Sequence, residues 1–353
     1  MFDTIIFASK PWVASECASL LSERYSPERS LVACLALAGP LQFRYERGLA
    51  YADYPLISEP RYEFGDSRRL HARSLAEYVA WKHQSNVEGH RRLAQSACRS
   101  VEEVQNAIRG AERFVFSADP GPSEAHGCFA LLEYLDVKDA FDRTDAYLFS
   151  DLSTSTLNRV FRAGSTQESR LHLAHLEEQG RVKRYFDWNW NQNALVVFRA
   201  ALRGVGLPAD AVISKYELQL LYFLAKNPPS PGGTPPWTEG QIVKEMTYWK
   251  GTGKYGRQYL GSCASRIAIL EHLYQKEFLG RRRLSGPREE VFVTSRAQAF
   301  LDFLHPDCED PDLPARIEAW MEAGFDASRP AIDRYIRTNF GKQKRFYTQT
   351  RAN

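Results

Sequence analysis

The strongest constraint on the fold is an alternation of short apolar runs with helical segments in the first 150 residues. The runs Thr4–Ala8, Arg113–Ala118 and Ala146–Phe149 are rich in β-branched and aromatic residues, which is typical of strands buried on both faces. Apolar residues with helical spacing follow two of them, over Trp12–Leu21 and Glu124–Leu135. Strands that alternate with helices predict an α/β layer with a mostly parallel sheet.

Polar residues come directly after each of these predicted strands. Ser9 and Lys10 follow the first strand, Asp119 follows the second, and Asp151 lies just after the third. In a parallel sheet, ligands bind at the carboxyl ends of the strands. We therefore expect any ligand of the first half of the chain at this edge.

The second half of the chain has a different pattern. It is mainly helical from Leu171 onward, and a linker rich in Pro and Gly interrupts it at residues 228–238. Two helical segments, Glu239–Trp249 and Ser265–Leu279, then precede two short strands around a Gly-Pro turn. Helix, helix and β-hairpin in this order is the outline of a winged helix. The predicted fold class is thus an α/β domain with a mostly parallel sheet, followed by a mainly α domain that contains a winged helix.

Charge is unevenly distributed behind a formal net charge of +3. Acidic residues outnumber basic ones over residues 1–150, whereas basic residues predominate over 151–353. The last segment, 329–353, is strongly basic, with Asp333 as its one acidic residue. This asymmetry favours an anionic partner for the second half, and a solvated basic face without a partner is the alternative.

The predicted winged helix and the segment before it carry cations among aromatic residues. Cations neutralise nucleic-acid phosphates and release counterions, and aromatic rings stack on unpaired bases. A winged helix can also serve as a protein-docking module, which remains the alternative. The predicted DNA contacts here are Lys254, Arg257, Arg266, Arg281, Arg282, Arg283 and Arg288, interleaved upstream with Tyr248, Tyr255 and Tyr259.

Composition excludes several classes of protein. The chain is 44% hydrophobic and 25% charged, which is ordinary for a folded protein and excludes a disordered or fibrous one. No window approaches the run of about 18 apolar residues that a membrane-spanning helix needs, and the first residues lack the features of a signal peptide. The six cysteines are far apart, without a CxxC motif, so we expect a cytoplasmic protein without disulfides or a zinc ribbon, and no membrane partner.

Taken in order, these segments resemble type IA DNA topoisomerases, in particular the topoisomerase III branch. Thr4–Pro11 is similar to the opening strand of that family, which usually ends in Ala-Glu-Lys-Pro, and Phe149–Leu152 is similar to its strand ending in Asp-Leu. Leu260–Glu271 resembles Ile-Gly-Thr-Pro-Ala-Thr-Arg-Ala-x-Ile-Ile-Glu, and Asp310–Ala315 resembles Asp-Pro-Glu-Leu-Thr-Ala. The matches follow the order of the family over nearly the whole chain.

The resemblance implies a domain organisation and further contacts with DNA. It implies a Toprim domain, a compact α/β fold that holds magnesium near the scissile phosphate. The expected organisation is a Toprim-like domain over 1–162, a helical segment similar to the topoisomerase core over 163–227, the linker over 228–238, a winged-helix-like DNA-binding domain over 239–328 and a basic C-terminal tail over 329–353. The remaining predicted DNA contacts are Lys10, Lys183, Arg184, Trp188 and Asn193, and the Toprim-like face is a candidate site for a protein partner.

The chain departs from this family at the acidic cluster. Ser9 stands where the family has a glutamate, and Gly121–Ser123 replace its second aspartate, its arginine and its second glutamate, so that Asp119 remains. Magnesium prefers several oxygen ligands, usually with one or two carboxylates. We therefore predict no metal site and no cofactor. Asp119 and Glu124 are the residual catalytic candidates, with Asp119 the weak candidate for a metal ligand, and Mg²⁺ would be needed only if the protein is an enzyme.

The second departure is the loss of the module that carries the nucleophile. The family places a long arch domain with the tyrosine that attacks DNA between the segments corresponding to Gln219 and Leu260, where this chain has only the linker and one helix. We therefore expect a protein that binds single-stranded DNA without cleaving it, as an accessory in replication, repair or the transfer of mobile elements. A minimal magnesium-dependent nicking enzyme and a protein-interaction module are the alternatives.

Overall fold

A six-stranded sheet organises the first of two structural units. The computed structural model describes residues 2–34, 41–46, 48–65, 69–82, 98–208, 210–229, 236–256, 258–283 and 289–352. The first unit consists of residues 1–44 and 60–184, and the second of residues 45–59 and 185–353. The strands of the first unit are β1 (Thr4–Ala8), β2 (Ser30–Cys34), β3 (Leu41–Phe43), β4 (Tyr62–Phe64), β5 (Arg69–Ser74), β6 (Cys98–Ser100), β7 (Arg113–Ala118) and β8 (Thr144–Leu148).

The order of the strands is β6-β5-β2-β1-β7-β8, and β3 pairs with β4 in a separate hairpin. Strands β2, β1, β7 and β8 are parallel, whereas β5 runs antiparallel to β2, and β6 runs antiparallel to β5. The predicted α/β class with a mostly parallel sheet is therefore confirmed. The chain leaves β1 toward β2 on one side, and β7 lies on the other side of β1. This arrangement creates a topological switch point between β1 and β7.

Helices cover both faces of the sheet. Alternate residues of β1 face opposite sides, so Ile5 and Phe7 join one apolar core while Ile6 and Ala8 join the other. This double burial explains why the strands read as continuous apolar runs. The helices of this unit are α1 (Pro11–Ser22), α2 (Leu75–Lys82), α3 (Val101–Gly110), α4 (Pro122–Tyr134), α5 (Thr154–Ala163) and the first part of α6 (Gln167–Val197).

The second unit is mainly helical, as expected. Beyond the end of α6 its elements are α7 (Arg199–Gly204), α8 (Lys215–Lys226), α9 (Glu239–Thr247), α10 (Cys263–Gln275), β9 (Leu279–Arg283), β10 (Glu289–Val293), α11 (Ser295–Asp302), α12 (Leu313–Ala323) and α13 (Phe325–Ala352). The predicted order of helix, helix and antiparallel hairpin is present in α9, α10 and β9–β10.

The segment 329–353, predicted as a basic tail, is not separate from the fold, because α13 extends through it to Ala352. Ile332, Ile336 and Phe340 are four residues apart and are all buried. Apolar residues with this spacing share one face of a helix, and they pack into the second unit while the basic residues occupy the other faces.

A buried ion pair joins α6 to the start of α8. The Lys215 ammonium donates to the Asp187 carboxylate, and the two residues are only 7% and 9% exposed. The Lys215 ammonium also lies 4.7 Å from the ring centroid of Tyr216. A buried charge is tolerated because its partner compensates for the lost hydration.

Removing one partner of this pair should be costly. We expect Lys215→Ala to lower the free energy of unfolding by about 3 to 5 kcal/mol, because the Asp187 carboxylate loses its buried counter-ion. Lys226→Ala is the matched control, since Lys226 forms an exposed pair with Glu309 and should cost no more than about 1 kcal/mol. Urea denaturation measures both, and equal losses in the two variants would contradict the assignment.

Burial also controls the reactivity of the cysteines. It raises the pKa of the Cys34 thiol from its ordinary value of 9.0 to about 12, with the Tyr78 hydroxyl opposing the shift. Burial, assisted by the charge of Asp307, raises the pKa of Cys308 to about 12. Cys263 is exposed. Buried neutral thiols are poor nucleophiles.

Alkylation of the native protein at pH 8 should therefore modify Cys263 and spare Cys34 and Cys308, as peptide mapping by mass spectrometry would show. Rapid native labelling of Cys34 would contradict this assignment.

The raised pKa values of the Cys34 and Cys308 thiols also predict a pH dependence of the free energy of unfolding. The contribution of these thiols is complete below about pH 9 and is lost as the pH rises toward 12, because the unfolded chain releases these protons first.

Candidate nucleic-acid interface

A loop between α9 and α10 is closed by a pair of buried residues. Trp249 and Gln258 form an antiparallel bridge, and the Gln258 amide donates to the Trp249 carbonyl at 3.0 Å. The Trp249 indole donates to the Pro311 carbonyl, and the Gln258 side-chain oxygen accepts from the Ala315 amide at 3.0 Å. The base of the loop is thereby fixed to the segment that leads into α12.

Two exposed tyrosines lie directly outside this bridge. Tyr248 precedes Trp249 and Tyr259 follows Gln258, so the two tyrosines occupy facing positions at the base of the loop. Trp249 and Gln258 are buried, whereas Tyr248, the C-cap of α9, and Tyr259 are 41% and 52% exposed.

Two lysines and an arginine accompany these rings. Lys250 and Lys254 are exposed, and no described residue forms an ion pair with either. The Arg266 guanidinium lies 5.9 Å from the ring centroid of Tyr259 and donates from Nη1 to the Thr247 hydroxyl at 2.9 Å. Arg266 itself is buried. We name the exposed group of Tyr248, Lys250, Lys254 and Tyr259 the loop surface, because two cations and two aromatic rings belong to one loop and its base.

A buried aspartate holds the tip of the loop. The Asp312 carboxylate accepts from the Thr252 amide at 2.8 Å and from its hydroxyl at 2.6 Å. Gly251 has a φ of +55°, and a Cβ there would approach the Asp312 carboxylate to 2.2 Å, so glycine is required on both counts. The loop is therefore a built structure that presents Lys250 and Lys254 at defined positions.

The arginines predicted on the wing are largely engaged within the protein. Arg281 pairs with Glu239 at 2.5 Å and lies over the ring of Tyr274, and hydrogen bonds with Tyr274 and Glu239 raise its pKa. Arg282 donates to the buried Glu290, which lies opposite it in the hairpin, at 2.8 and 2.5 Å.

Arg283 is exposed and faces Glu289 in the same register. A guanidinium already paired with a carboxylate must exchange that partner before it binds a phosphate. The register of the hairpin places glutamates opposite arginines, and this reduces the positive charge that the wing offers to DNA. The two remaining predicted contacts in this region, Arg257 and Arg288, lie outside the described residues.

Two predicted DNA contacts in the second unit have structural roles instead. Trp188 is fully buried, and its indole donates to the Ser58 hydroxyl at 3.0 Å, so its ring offers no face to a base. The buried Asn193 amide accepts from the Leu56 amide and donates to the Leu56 carbonyl, both at 2.7 Å. Asn189, one turn earlier on α6, bonds Ser58 in the same way at 3.0 and 3.1 Å. The side-chain amides of Asn189 and Asn193 thus satisfy the backbone groups of the extended segment around residues 56–58, as a neighbouring strand would.

The carboxyl edge of the sheet carries the catalytic candidates of the first unit. Lys10 is exposed at the start of α1, with its ammonium 4.9 Å from the ring centroid of Trp12. Asp119 is exposed after β7, and the Glu124 carboxylate folds over Gly121 in the first turn of α4. Within the described ranges, no three His, Cys, Asp or Glu residues are grouped closely enough to hold a metal ion.

A buried histidine in the first unit was missed by sequence analysis. His126 on α4 contacts the Glu177 carboxylate through Nδ1 at 3.0 Å and the Tyr62 hydroxyl through Nε2 at 3.3 Å. Such a chain orients the phenol and can pass a proton between its members. The three residues are distant in the sequence and belong to no motif, so no sequence signal brings them together.

Two further predicted DNA contacts lie in the same unit. The Arg184 guanidinium is 4.0 Å from the ring centroid of Phe43 and 5.8 Å from that of Tyr62, so it covers this aromatic pair. Lys183, its neighbour on α6, is half-buried. The structure thus assigns Arg184 a packing contact, and it does not place Lys183 in the loop surface.

No protein-family model matches this chain, and no curated protein matches it significantly. Over the described residues, no helix combines the length and apolar character that crossing a membrane requires.

The role of Asp312 can be tested by hydrogen exchange. We expect Asp312→Ala to accelerate exchange of the amides in residues 250–256 at least tenfold, because the loop loses both bonds to Thr252. The free energy of unfolding should fall by about 1 to 3 kcal/mol. Asp302→Ala, an exposed aspartate bonded to Gln298, is the control and should leave the loop unchanged. Unaltered loop exchange in Asp312→Ala would show that the anchor does not hold the loop.

Proposed function

We propose that this protein binds single-stranded DNA as a non-cleaving relative of type IA topoisomerases. In this proposal the first unit is a Toprim-like scaffold, and the helices α9 and α10 with the hairpin β9–β10 form a winged-helix-like module. The ordered motifs of the sequence support the relationship, and the parallel sheet and the helix-helix-hairpin order are compatible with it. The accessory role in replication, repair or mobile-element transfer, in the cytoplasm, belongs to the same proposal.

The observation that carries the proposal is the paired exposure of Tyr248 and Tyr259 beside Lys250 and Lys254. Stacking of a base on an aromatic side chain contributes about 1 to 3 kcal/mol and requires a base whose face is free. The two lysines can each neutralise a phosphate and release a counterion. Rings and cations side by side match the alternation of bases and phosphates along a single strand.

The same region favours single-stranded over duplex DNA. A winged helix that reads duplex DNA uses cations on its second helix, but Arg266 is the one Lys or Arg of α10 and it is buried. The exposed residues of α10 include Ile267 and Glu271, of which one is apolar and the other acidic. Helix α10 therefore offers no exposed Lys or Arg to the phosphates of a duplex, whereas the loop surface is exposed to a flexible strand.

The absence of strand cleavage rests on the sequence at the carboxyl edge of the sheet. Ser9 and Gly121–Ser123 stand in place of acidic and basic residues of the topoisomerase family. The exposed Asp119 and the folded-back Glu124 remain, and the arch that carries the nucleophile has no counterpart between Gln219 and Leu260. These substitutions support binding without chemistry.

Fluorescence anisotropy with a labelled oligothymidine tests the binding site. We expect Tyr248→Ala with Tyr259→Ala to weaken binding at least tenfold, through the loss of two stacking faces. Lys250→Gln with Lys254→Gln should reduce the slope of log affinity against log salt by about 1.4, the value for two phosphate contacts on a single strand.

The controls are Tyr134→Ala and Lys138→Gln, because Tyr134 is another exposed tyrosine and Lys138 another exposed lysine. Both should bind as the unaltered protein does. Failure of the unaltered protein to bind the oligonucleotide at low salt would overturn the proposal and favour a protein-docking module.

A second assay tests the absence of cleavage. Incubation with negatively supercoiled plasmid and Mg²⁺ should leave the plasmid supercoiled. Relaxation that is abolished by Asp119→Ala would establish the nicking enzyme instead.

A further inference from the structure

A cavity in the second unit is lined by arginines, tyrosines and apolar residues. It has a volume of about 570 Å³, and its lining comes from residues 46, 48, 49, 51 and 54, the end of α6 and the short helix α7. Binding pockets for small ligands commonly measure about 300 to 1,000 Å³, so the cavity can accept a molecule of that size. Its lining includes Glu46, Leu49, Tyr51, Tyr54, Arg199 and Arg203.

Two arginines form the positive wall of this cavity. Arg199 and Arg203 are four residues apart on α7 and therefore lie on the same side of the helix. Both are exposed, and neither forms an ion pair with a described residue. The Arg199 Nε donates to the Leu195 carbonyl at 3.2 Å, which orients the guanidinium and leaves both of its terminal amino groups for a ligand. Two neighbouring guanidinium groups without ion-pair partners among the described residues can bind a phosphate together.

Aromatic and apolar residues form a second wall. Leu49 and Tyr51 are 42% and 36% exposed, whereas Tyr54 is buried. The Lys344 ammonium donates to the carbonyls of Ala52 and Tyr54 at 2.8 and 2.7 Å and lies 5.4 Å from the ring centroid of Tyr51. This lysine holds the turn that presents Tyr51 to the cavity.

The arginines and the residues of the 46–54 region line the same cavity. Burial raises the pKa of the Tyr54 hydroxyl, while the positive charge of Arg199 opposes the shift and the negative charges of Glu46 and Asp53 add to it. Arg199 and Glu46 thus act on the same phenol from within the cavity. A cation pair, a stacking face and a carboxylate acceptor are the groups that recognise a phosphate, a base and a sugar hydroxyl or amino group.

We propose that this cavity binds a nucleoside monophosphate, with its phosphate between Arg199 and Arg203 and its base against Tyr51 and Leu49. The site is separate from the loop surface and does not depend on it. The same chemistry is present in a free nucleotide and in the phosphorylated 5′ end of a single strand, and the experiment distinguishes these two sources.

Isothermal titration of the full chain with AMP, adenosine and inorganic phosphate tests the site. AMP should bind, and adenosine and phosphate should each bind at least tenfold more weakly, because each engages one wall of the cavity only. If inorganic phosphate binds with the same affinity as AMP, the cavity is a simple anion site and the proposal is overturned. No detectable AMP binding, together with no preference for a 5′-phosphorylated oligothymidine over its 5′-hydroxyl form, would also overturn it.

Two cavity variants test whether AMP binds in this cavity. Arg199→Gln with Arg203→Gln should weaken AMP binding at least tenfold, and Ala200→Phe should do the same by filling the cavity while both arginines remain. The matched control is Arg334→Gln with Arg337→Gln, which removes two exposed arginines from α13 and should leave AMP binding unchanged. Unchanged AMP binding in both cavity variants would refute the assignment, and circular dichroism verifies that each variant is folded.

The oligonucleotide comparison identifies the source of the ligand. A preference for the 5′-phosphorylated strand that the cavity variants abolish assigns the site to a strand end, whereas AMP binding without this preference assigns it to a free nucleotide. The variant Tyr248→Ala with Tyr259→Ala should retain AMP binding whatever its effect on oligothymidine. Loss of the loop surface can thereby be distinguished from loss of the cavity site.

Discussion

The pairing of β1 with β2 on one side and β7 on the other is the constraint on which the first unit depends. All five residues of β1 are buried, and the strand is bonded in parallel to both neighbours in matching register. A parallel strand with both faces buried must be covered by helices on both sides, which requires crossover connections. The positions of α1 and α4 at the switch point follow from this requirement, and with them the placement of Lys10, Asp119 and Glu124 at one edge.

Ion pairing, and not the number of cations, decides which basic residues can meet a partner. The wing contains three consecutive arginines, but Arg281 and Arg282 are engaged by Glu239 and Glu290. Lys250 and Lys254 stand on a loop held by Asp312 and have no acidic partner among the described residues. The cations best placed for an anionic ligand are therefore those of the loop surface and of α7.

Burial likewise decides which aromatic residues can contact a partner. Trp188 and Trp249 lie in aromatic and cationic stretches of sequence that suggest stacking platforms, yet both rings are inside the protein. Tyr248 and Tyr259 are direct neighbours of the buried Trp249 and Gln258, and both are exposed. Neighbouring residues of similar type therefore differ in burial, and composition does not show which of them is exposed.

Local patterns in the sequence predict the α/β class, the parallel strands and the order of helix, helix and hairpin, because apolar periodicity and turn residues are local properties of the chain. They also single out Tyr248, Lys254 and Tyr259. In contrast, it is the folded structure that shows that Asn193 bonds a distant backbone segment, that Glu290 neutralises Arg282, and that Arg199 and Arg203 share a cavity with Tyr51. Those outcomes depend on contacts between residues far apart in the chain, and no local pattern encodes which distant groups will meet.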